Sequence, residues 1–217
     1  MLMDISAELA EISSYGGFFA LVVGGSDAGW RPVTQCYADG FTDLVQTTAA
    51  RYGTAEQRVA ASLVQLGHAA RLWSPVLACA VCHGVLPDLT RLQRAEDGTR
   101  LRLPEPVGRP AAPSAQLLYR VVVRDHLEPL AAGLRVGVAP GLLSGNIASA
   151  LVGTSRLLLS ARPDLRAPIT EITGALLRTG KLAGTGAISG PNLAFRRTSC
   201  CLFYRVPGGS TCGDCPL

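Results

Sequence analysis

Four cysteines in the last part of the sequence have a spacing that can hold a metal. They stand as Cys200-Cys201, ten intervening residues, then Cys212-Gly-Asp-Cys215. Four thiolates within 16 residues can enclose one soft metal centre. Pro207-Gly208-Gly209 supplies a turn that folds the second pair back onto the first. Gly213 leaves the Cys212–Cys215 loop free to turn its amides toward sulfur, contacts that raise a cluster's reduction potential. Structural zinc sites with four cysteines usually draw on two spaced pairs, whereas here one pair is vicinal. Adjacent side chains diverge in an extended chain, which suits a two-iron unit somewhat better than one compact tetrahedron. Spacing alone leaves zinc, an iron–sulfur cluster and a thiol or disulfide role all open.

The rest of the composition narrows the setting. The chain has seven cysteines, an odd number in 217 residues, which argues against a disulfide scaffold. The opening MLMDISAELAE is acidic and lacks the basic start of a secretory signal. The apolar runs at 16–25 and 76–85 are far shorter than the ~20 residues a membrane span needs. The expectation is a cytoplasmic protein without a transmembrane segment, where thiols stay reduced and grouped cysteines point to metal or redox chemistry. Apolar residues at 48% and charged residues at 17% exclude a disordered chain. A net charge of +4 excludes a dedicated nucleic-acid binder unless that charge is concentrated. It is concentrated, but around the cysteines. Residues 1–171 hold equal numbers of acidic and basic side chains, whereas residues 172–217 hold five basic ones against Asp214.

The tail, with Arg196-Arg197 before it and the closing CGDCPL, resembles the bacterial ferric-siderophore reductase (FhuF-like) family. GLLSGNIASAL at 141–151 is similar to that family's central helix, and LWSPVLACAVCHGVLPDL at 72–89 to its earlier W-x-P segment. The resemblance implies that Cys200, Cys201, Cys212 and Cys215 ligate a [2Fe–2S] cluster. It implies one-electron reduction of an Fe(III) siderophore, of hydroxamate type, releasing Fe(II) in the cytoplasm. It also implies an electron-donor protein such as a ferredoxin or flavodoxin. The chemistry is coherent: hard oxygen ligands hold Fe(III) far better than Fe(II), so one electron loosens the iron and spares the chelator. Two other readings stay in view, a structural zinc module that binds a partner, and a [2Fe–2S] electron carrier or redox sensor.

Several further residues carry weaker signals. Arg196, Arg197 and Arg205 would offset the charge of a dianionic cluster or attract an acidic donor. Asn146, in a helix of small and apolar residues, is a candidate buried polar contact to the tail or chelate. Phe203 and Tyr204 would shield the cluster or pack the tail onto helices. Cys79-Ala-Val-Cys82-His83 matches the haem-attachment spacing. It lies in an apolar helix-like run, where core cysteines are the better reading. Cys36 reads as an isolated thiol, His83 and His126 as structural histidines, and Trp30 and Trp73 as core.

These residues need a scaffold, and the pattern predicts an α+β, mainly α-helical one. A helical domain with a small β-sheet spans 1–195, and the cluster-binding tail spans 196–217. Helices are expected over 4–14, over 40–82 divided at Gly53, over 126–134, over 141–160 and over 163–177. Thr54 with Gln57 reads as a capping box, and Pro75 as a kink or break near Ser74. Strands are expected at 17–23 and 101–103, and 117–123 fits either a strand or a buried helix. Residues 24–32 and most of 95–115 read as loop. The glycines of 179–191 read as a linker.

Overall fold

The computed structural model describes residues 1–217. Nine short strands and eight helices alternate along the chain. They are β1 (Met3–Asp4), α1 (Ser6–Ser13), β2 (Leu21–Val23), β3 (Trp30–Pro32), α2 (Val33–Ala38), α3 (Thr42–Arg51), α4 (Gln57–Ala78) and β4 (Val85–Pro87). They continue with β5 (Gln93–Ala95), β6 (Leu101–Leu103), β7 (Val107–Pro110), α5 (Ala115–Tyr119), α6 (Glu128–Gly133), α7 (Pro140–Ala161), α8 (Arg166–Leu176), β8 (Gly186–Ser189) and β9 (Ala194–Arg197). The fold is α+β and mainly helical. Two π-helical turns, Cys79–His83 and Arg120–Leu127, extend α4 and α5.

The long helices α4 and α7 form the spine. Each runs for 22 residues and packs along the other. Small side chains let them approach: Ala61 and Ala69 on α4 and Ala148 and Ala150 on α7 are buried. Ser74 and Thr154 hydrogen-bond across the seam at 3.0 Å. Leu72, Trp73, Val76, Leu77, Leu151 and Leu158 then join one continuous apolar core. Each large side chain buried there contributes roughly 1.5–3 kcal/mol. Helix α7 is also apolar and long enough to cross a membrane, yet 67% of its apolar window is buried inside the protein.

Two small sheets cover one flank. The first has order β1-β7-β4 and is antiparallel. The second has order β2-β6-β5-β3, in which β2 and β6 run parallel. The hairpin β8-β9 stands apart and pairs Gly186 with Arg197 and Ser189 with Ala194.

Several expectations needed correction. Helix α4 passes through Pro75 without breaking there, because both flanks of that turn are buried against the core. The hydroxyl of Ser74 takes up the Ala70 carbonyl at 2.8 Å. Residues 179–191 are not a linker, since β8 lies within them and pairs with β9. Residues 24–32 contain the whole of β3, and 95–115 contain β7 as well as β6. Thr54 forms no capping box: its hydroxyl accepts the Glu56 amide at 3.2 Å and the helix starts three residues later. The first strand shrinks to Leu21–Val23, with residues 17–19 in a turn. Residues 117–123 are helical. Gly53, at φ 60°, does divide α3 from α4.

Candidate metal centre

The tail leaves the hairpin at Arg197 and lies across the N-terminal halves of α4 and α7. Cys200 and Cys201 come first. Leu202 then adopts a left-handed conformation at φ 70°, which turns its amide back to donate to Cys200 Sγ at 3.3 Å. A short turn, Phe203–Arg205, and the bend at Gly208 return the chain to Cys212 and Cys215. The expectation that the Cys212–Cys215 loop supplies the amide to sulfur is corrected: Leu202 donates, while the Cys215 amide bonds the Cys212 carbonyl at 3.0 Å.

The four sulfurs meet in crossed pairs. Cys200 Sγ and Cys215 Sγ are 3.7 Å apart, and Cys201 Sγ and Cys212 Sγ are 3.9 Å apart. These are not disulfides, whose sulfurs bond at about 2.05 Å. Two thiolates bound tetrahedrally to one metal at about 2.3 Å would lie about 3.8 Å apart. Both separations match that spacing, so each pair can serve one metal atom. No three His, Cys, Asp or Glu side chains converge on a single ion position. Burial, then contacts to Asp214 and Cys201, pushes the Cys212 thiol up. Burial likewise pushes Cys200 up, against the Leu202 amide that lowers it. Binding a metal must therefore displace the protons of these thiols.

A buried polar cluster holds the tail in place. Asn146 on α7 is fully buried and is its hub. Its amide donates to Ser62 O at 3.1 Å and to Ser62 Oγ at 3.0 Å, and its Oδ1 accepts from Arg197 Nη2 at 2.6 Å. The Ser62 hydroxyl in turn donates to the Cys201 carbonyl at 2.8 Å. One turn along α7, Ser149 donates to the Asp214 carboxylate. Gly145 makes room, because a Cβ there would fall 2.1 Å from Ser199 Oγ.

Arg197 matters most for electrostatics. Its residue is 2% exposed, and its Nε and Nη1 have no hydrogen-bond partner. A guanidinium buried without a carboxylate is costly unless an anion lies close. A dianionic four-thiolate cluster held by the tail that follows Arg197 would be such an anion, and the two sulfur pairs at single-metal spacing fit the group. Arg196 instead donates to the Pro216 carbonyl at 3.1 Å, and Arg205 pairs with Glu56 at 2.8 Å. Phe203 packs edge-on against Tyr52 with ring centroids 5.7 Å apart, while Tyr204 is exposed.

The remaining candidates lie elsewhere. Cys79 is in the core, its thiol pushed up to about 12 by burial, and Cys82 is half-buried. His83 faces Glu11 at 3.7 Å. Cys36 and Trp73 are core residues. Trp30 is half-buried beneath the guanidinium groups of Arg100 and Arg102. His126 is buried and bonds Tyr37. Sequence reasoning missed Ser62, Ser149 and Gly145, since nothing local marks a serine or glycine that will meet a segment far along the chain.

Comparison with known families agrees with this geometry. Residues 197–217 match the family described as FhuF 2Fe-2S C-terminal domain. No curated protein matches the chain. The chain carries an FhuF-like C-terminal segment, and its cofactor is a [2Fe–2S] cluster.

Proposed function

We propose that the protein is a ferric-siderophore reductase of the cytoplasm, in which residues 1–195 form the chelate-binding domain and residues 196–217 the cluster-binding segment. Cys200 and Cys215 ligate one iron, and Cys201 and Cys212 the other. When bound, the [2Fe–2S] group supplies single electrons, the stoichiometry that Fe(III) reduction requires. The chain's own residues set the conditions. Leu202 and Arg197 favour added negative charge at the centre, Asn146 and Ser62 fix the tail's distance from the helices, and Phe203 closes one side. Arg196 offers a cationic surface to an acidic donor such as a ferredoxin or flavodoxin. The substrate is a ferric hydroxamate chelate.

The crossed sulfur pairs at 3.7 and 3.9 Å, within a segment matching a 2Fe–2S family, carry this reading. Anaerobically purified protein should be brown and contain two irons and two sulfides per chain. It should reduce ferric hydroxamates when supplied with a chemical reductant. Colourless protein with stoichiometric zinc would sink the proposal, and a brown protein inert toward every ferric chelate would leave only electron carriage. Cys200→Ser and Cys215→Ser should perturb the same iron in Mössbauer spectra, and Cys201→Ser and Cys212→Ser the other.

A further inference from the structure

A chain of three buried polar side chains crosses the core between two cavities. Tyr37 on α2 sits at its middle, 3% exposed. Its hydroxyl lies 2.7 Å from His68 Nε2 and 3.0 Å from His126 Nδ1. Each histidine is 5% exposed. The outer ring nitrogens, His68 Nδ1 and His126 Nε2, have no protein partner, yet neither belongs to the sealed unpartnered atoms. Both therefore reach solvent, and they do so on different sides. His126 lines a cavity of about 480 Å³ with Asp88, Arg109 and Asp125. His68 lines one of about 240 Å³ with Arg51, Tyr52, Arg71, Arg94 and Asp97.

The His68 cavity shares a wall residue with the packing of the tail. Tyr52 in its wall packs on Phe203 of the tail. Leu63 and Val64, also in its wall, follow directly on Ser62, which holds the Cys201 carbonyl. Arg71 spends its hydrogen bonds on the carbonyls of Thr99 and Gly67 and has no carboxylate partner. The cavity thus combines aromatic surface with cationic charge, and its wall touches the tail through Tyr52. That combination suits part of an oxygen-rich ferric chelate.

Reduction of such a chelate is incomplete without protons. Hydroxamate and catecholate oxygens hold protons at neutral pH when free and lose them to iron. An oxygen that releases Fe(II) takes one back. We infer that His126, Tyr37 and His68 form a proton relay that supplies this proton to a chelate seated in the His68 cavity. The inference rests on the reductase reading. One proton enters from solvent at His126 Nε2 while the Nδ1 proton passes to the Tyr37 oxygen. The Tyr37 hydroxyl proton passes to His68 Nε2, and the His68 Nδ1 proton bonds to the chelate oxygen as its bond to iron breaks. The electron comes from the reduced cluster, so charge and atoms balance. Rotation of the hydroxyl resets Tyr37, and each ring regains its starting tautomer by exchanging protons with water, giving up the Nε2 proton and taking one at Nδ1.

Burial keeps the two histidines of the relay neutral between turnovers. Arg51, Arg71, Arg94 and Asp97 face its inner end, and Asp88, Arg109 and Asp125 its outer end. Burial pushes His126 down to about 4. Burial, then His126, Arg71 and Arg94, pushes His68 well down. A neutral ring with one donor and one acceptor nitrogen is the form that passes a proton on.

Tyr37→Phe removes the central oxygen and keeps the ring's packing. Holoprotein is reduced anaerobically, mixed with a ferric trihydroxamate or a ferric triscatecholate, and followed by the return of cluster colour in H₂O and D₂O. In Tyr37→Phe this step should slow by about tenfold or more and lose its solvent isotope effect, while reduction of the cluster by dithionite is unchanged. His126→Gln, which keeps an amide in place of the ring, should give the same pattern should Tyr37→Phe fold poorly. Equal rates and isotope effects in both variants and wild type would overturn the relay alone. Wild-type protein whose reduced cluster neither chelate reoxidises would overturn the reductase reading and the relay with it.

Discussion

At the scale of single residues, Arg197 and Asn146 tie the start of the tail to α7. Arg197 is a buried cation with two nitrogens free of protein partners, bound to the fold through the Asn146 carbonyl. Its charge favours the reduced, more negative cluster. Arg197→Gln should lower the one-electron potential by about 59 mV for every ~1.4 kcal/mol of lost differential interaction. An unchanged midpoint in protein-film voltammetry would contradict this. Asn146→Ala leaves Arg197 and Ser62 without their shared partner and should cost about 1.5–3 kcal/mol of tail stability, the scale of a buried hydrogen bond to a charged group. The check is iron content per chain after purification, which should fall. Much of this site was legible in the sequence. The cysteines announce themselves by spacing, and Asn146 by being polar in an apolar helix. Ser62 and Ser149 did not, because their partners lie 139 and 65 residues away and only the packing of the tail on α4 and α7 brings them together.

Among the elements, α7 does two jobs. One face seals the core against α4, and its first turns form the floor under the tail. The glycine at 145 is what lets the tail come so close. Gly145→Ala would put a methyl 2.1 Å from Ser199 Oγ and 3.3 Å from Arg197 Nη2, so the Ser199 hydroxyl must leave its bond to the Gly141 carbonyl and the buried guanidinium must give way. Holoprotein of this variant should lose its cluster several times faster to a ferrous chelator, with helicity by circular dichroism intact. Retention at the wild-type rate would show that the tail has slack there. The helix itself was readable because its small and apolar residues repeat at helical spacing over a long window. The β8-β9 hairpin was not, because its glycines mimic a linker. Gly186 is needed there for contact instead, as a Cβ would fall 2.4 Å from the Phe195 ring. Pro75 misled for the opposite reason, as packing on both sides outweighs one missing hydrogen bond.

For the whole molecule, two predictions concern stability. His126 is held neutral, its pKa pushed down from 6.5 to about 4 by burial. Between those values the unfolded chain binds more protons than the folded one, so stability falls as pH drops from about 6.5 toward 4. Two and a half pH units at about 1.4 kcal/mol each set an upper limit of roughly 3 kcal/mol. His126→Gln should flatten this part of the pH profile in urea melts; a profile as steep as wild type would refute the assignment. The second concerns metal removal. The segment after β9 buries only Cys201, Val206 and Cys215 fully, too little apolar surface to order it unaided. Stripping the cluster should open cleavage sites within 198–217 in limited proteolysis and leave α4 and α7 intact. Equal resistance of both forms would show that the tail folds without metal.

The solitary guanidinium of Arg197 gives that last result a physiological side. A holoprotein has its dianionic partner in place, and the buried charge is at rest. A chain stripped by oxidants has the same charge with nothing to answer it, an imbalance of several kcal/mol that relaxes by letting the strand end peel into water. Loss of the iron should thus appear as a newly exposed chain end, read out by the same limited proteolysis. The same buried cation that would steady the loaded tail would therefore make its order depend on the cofactor.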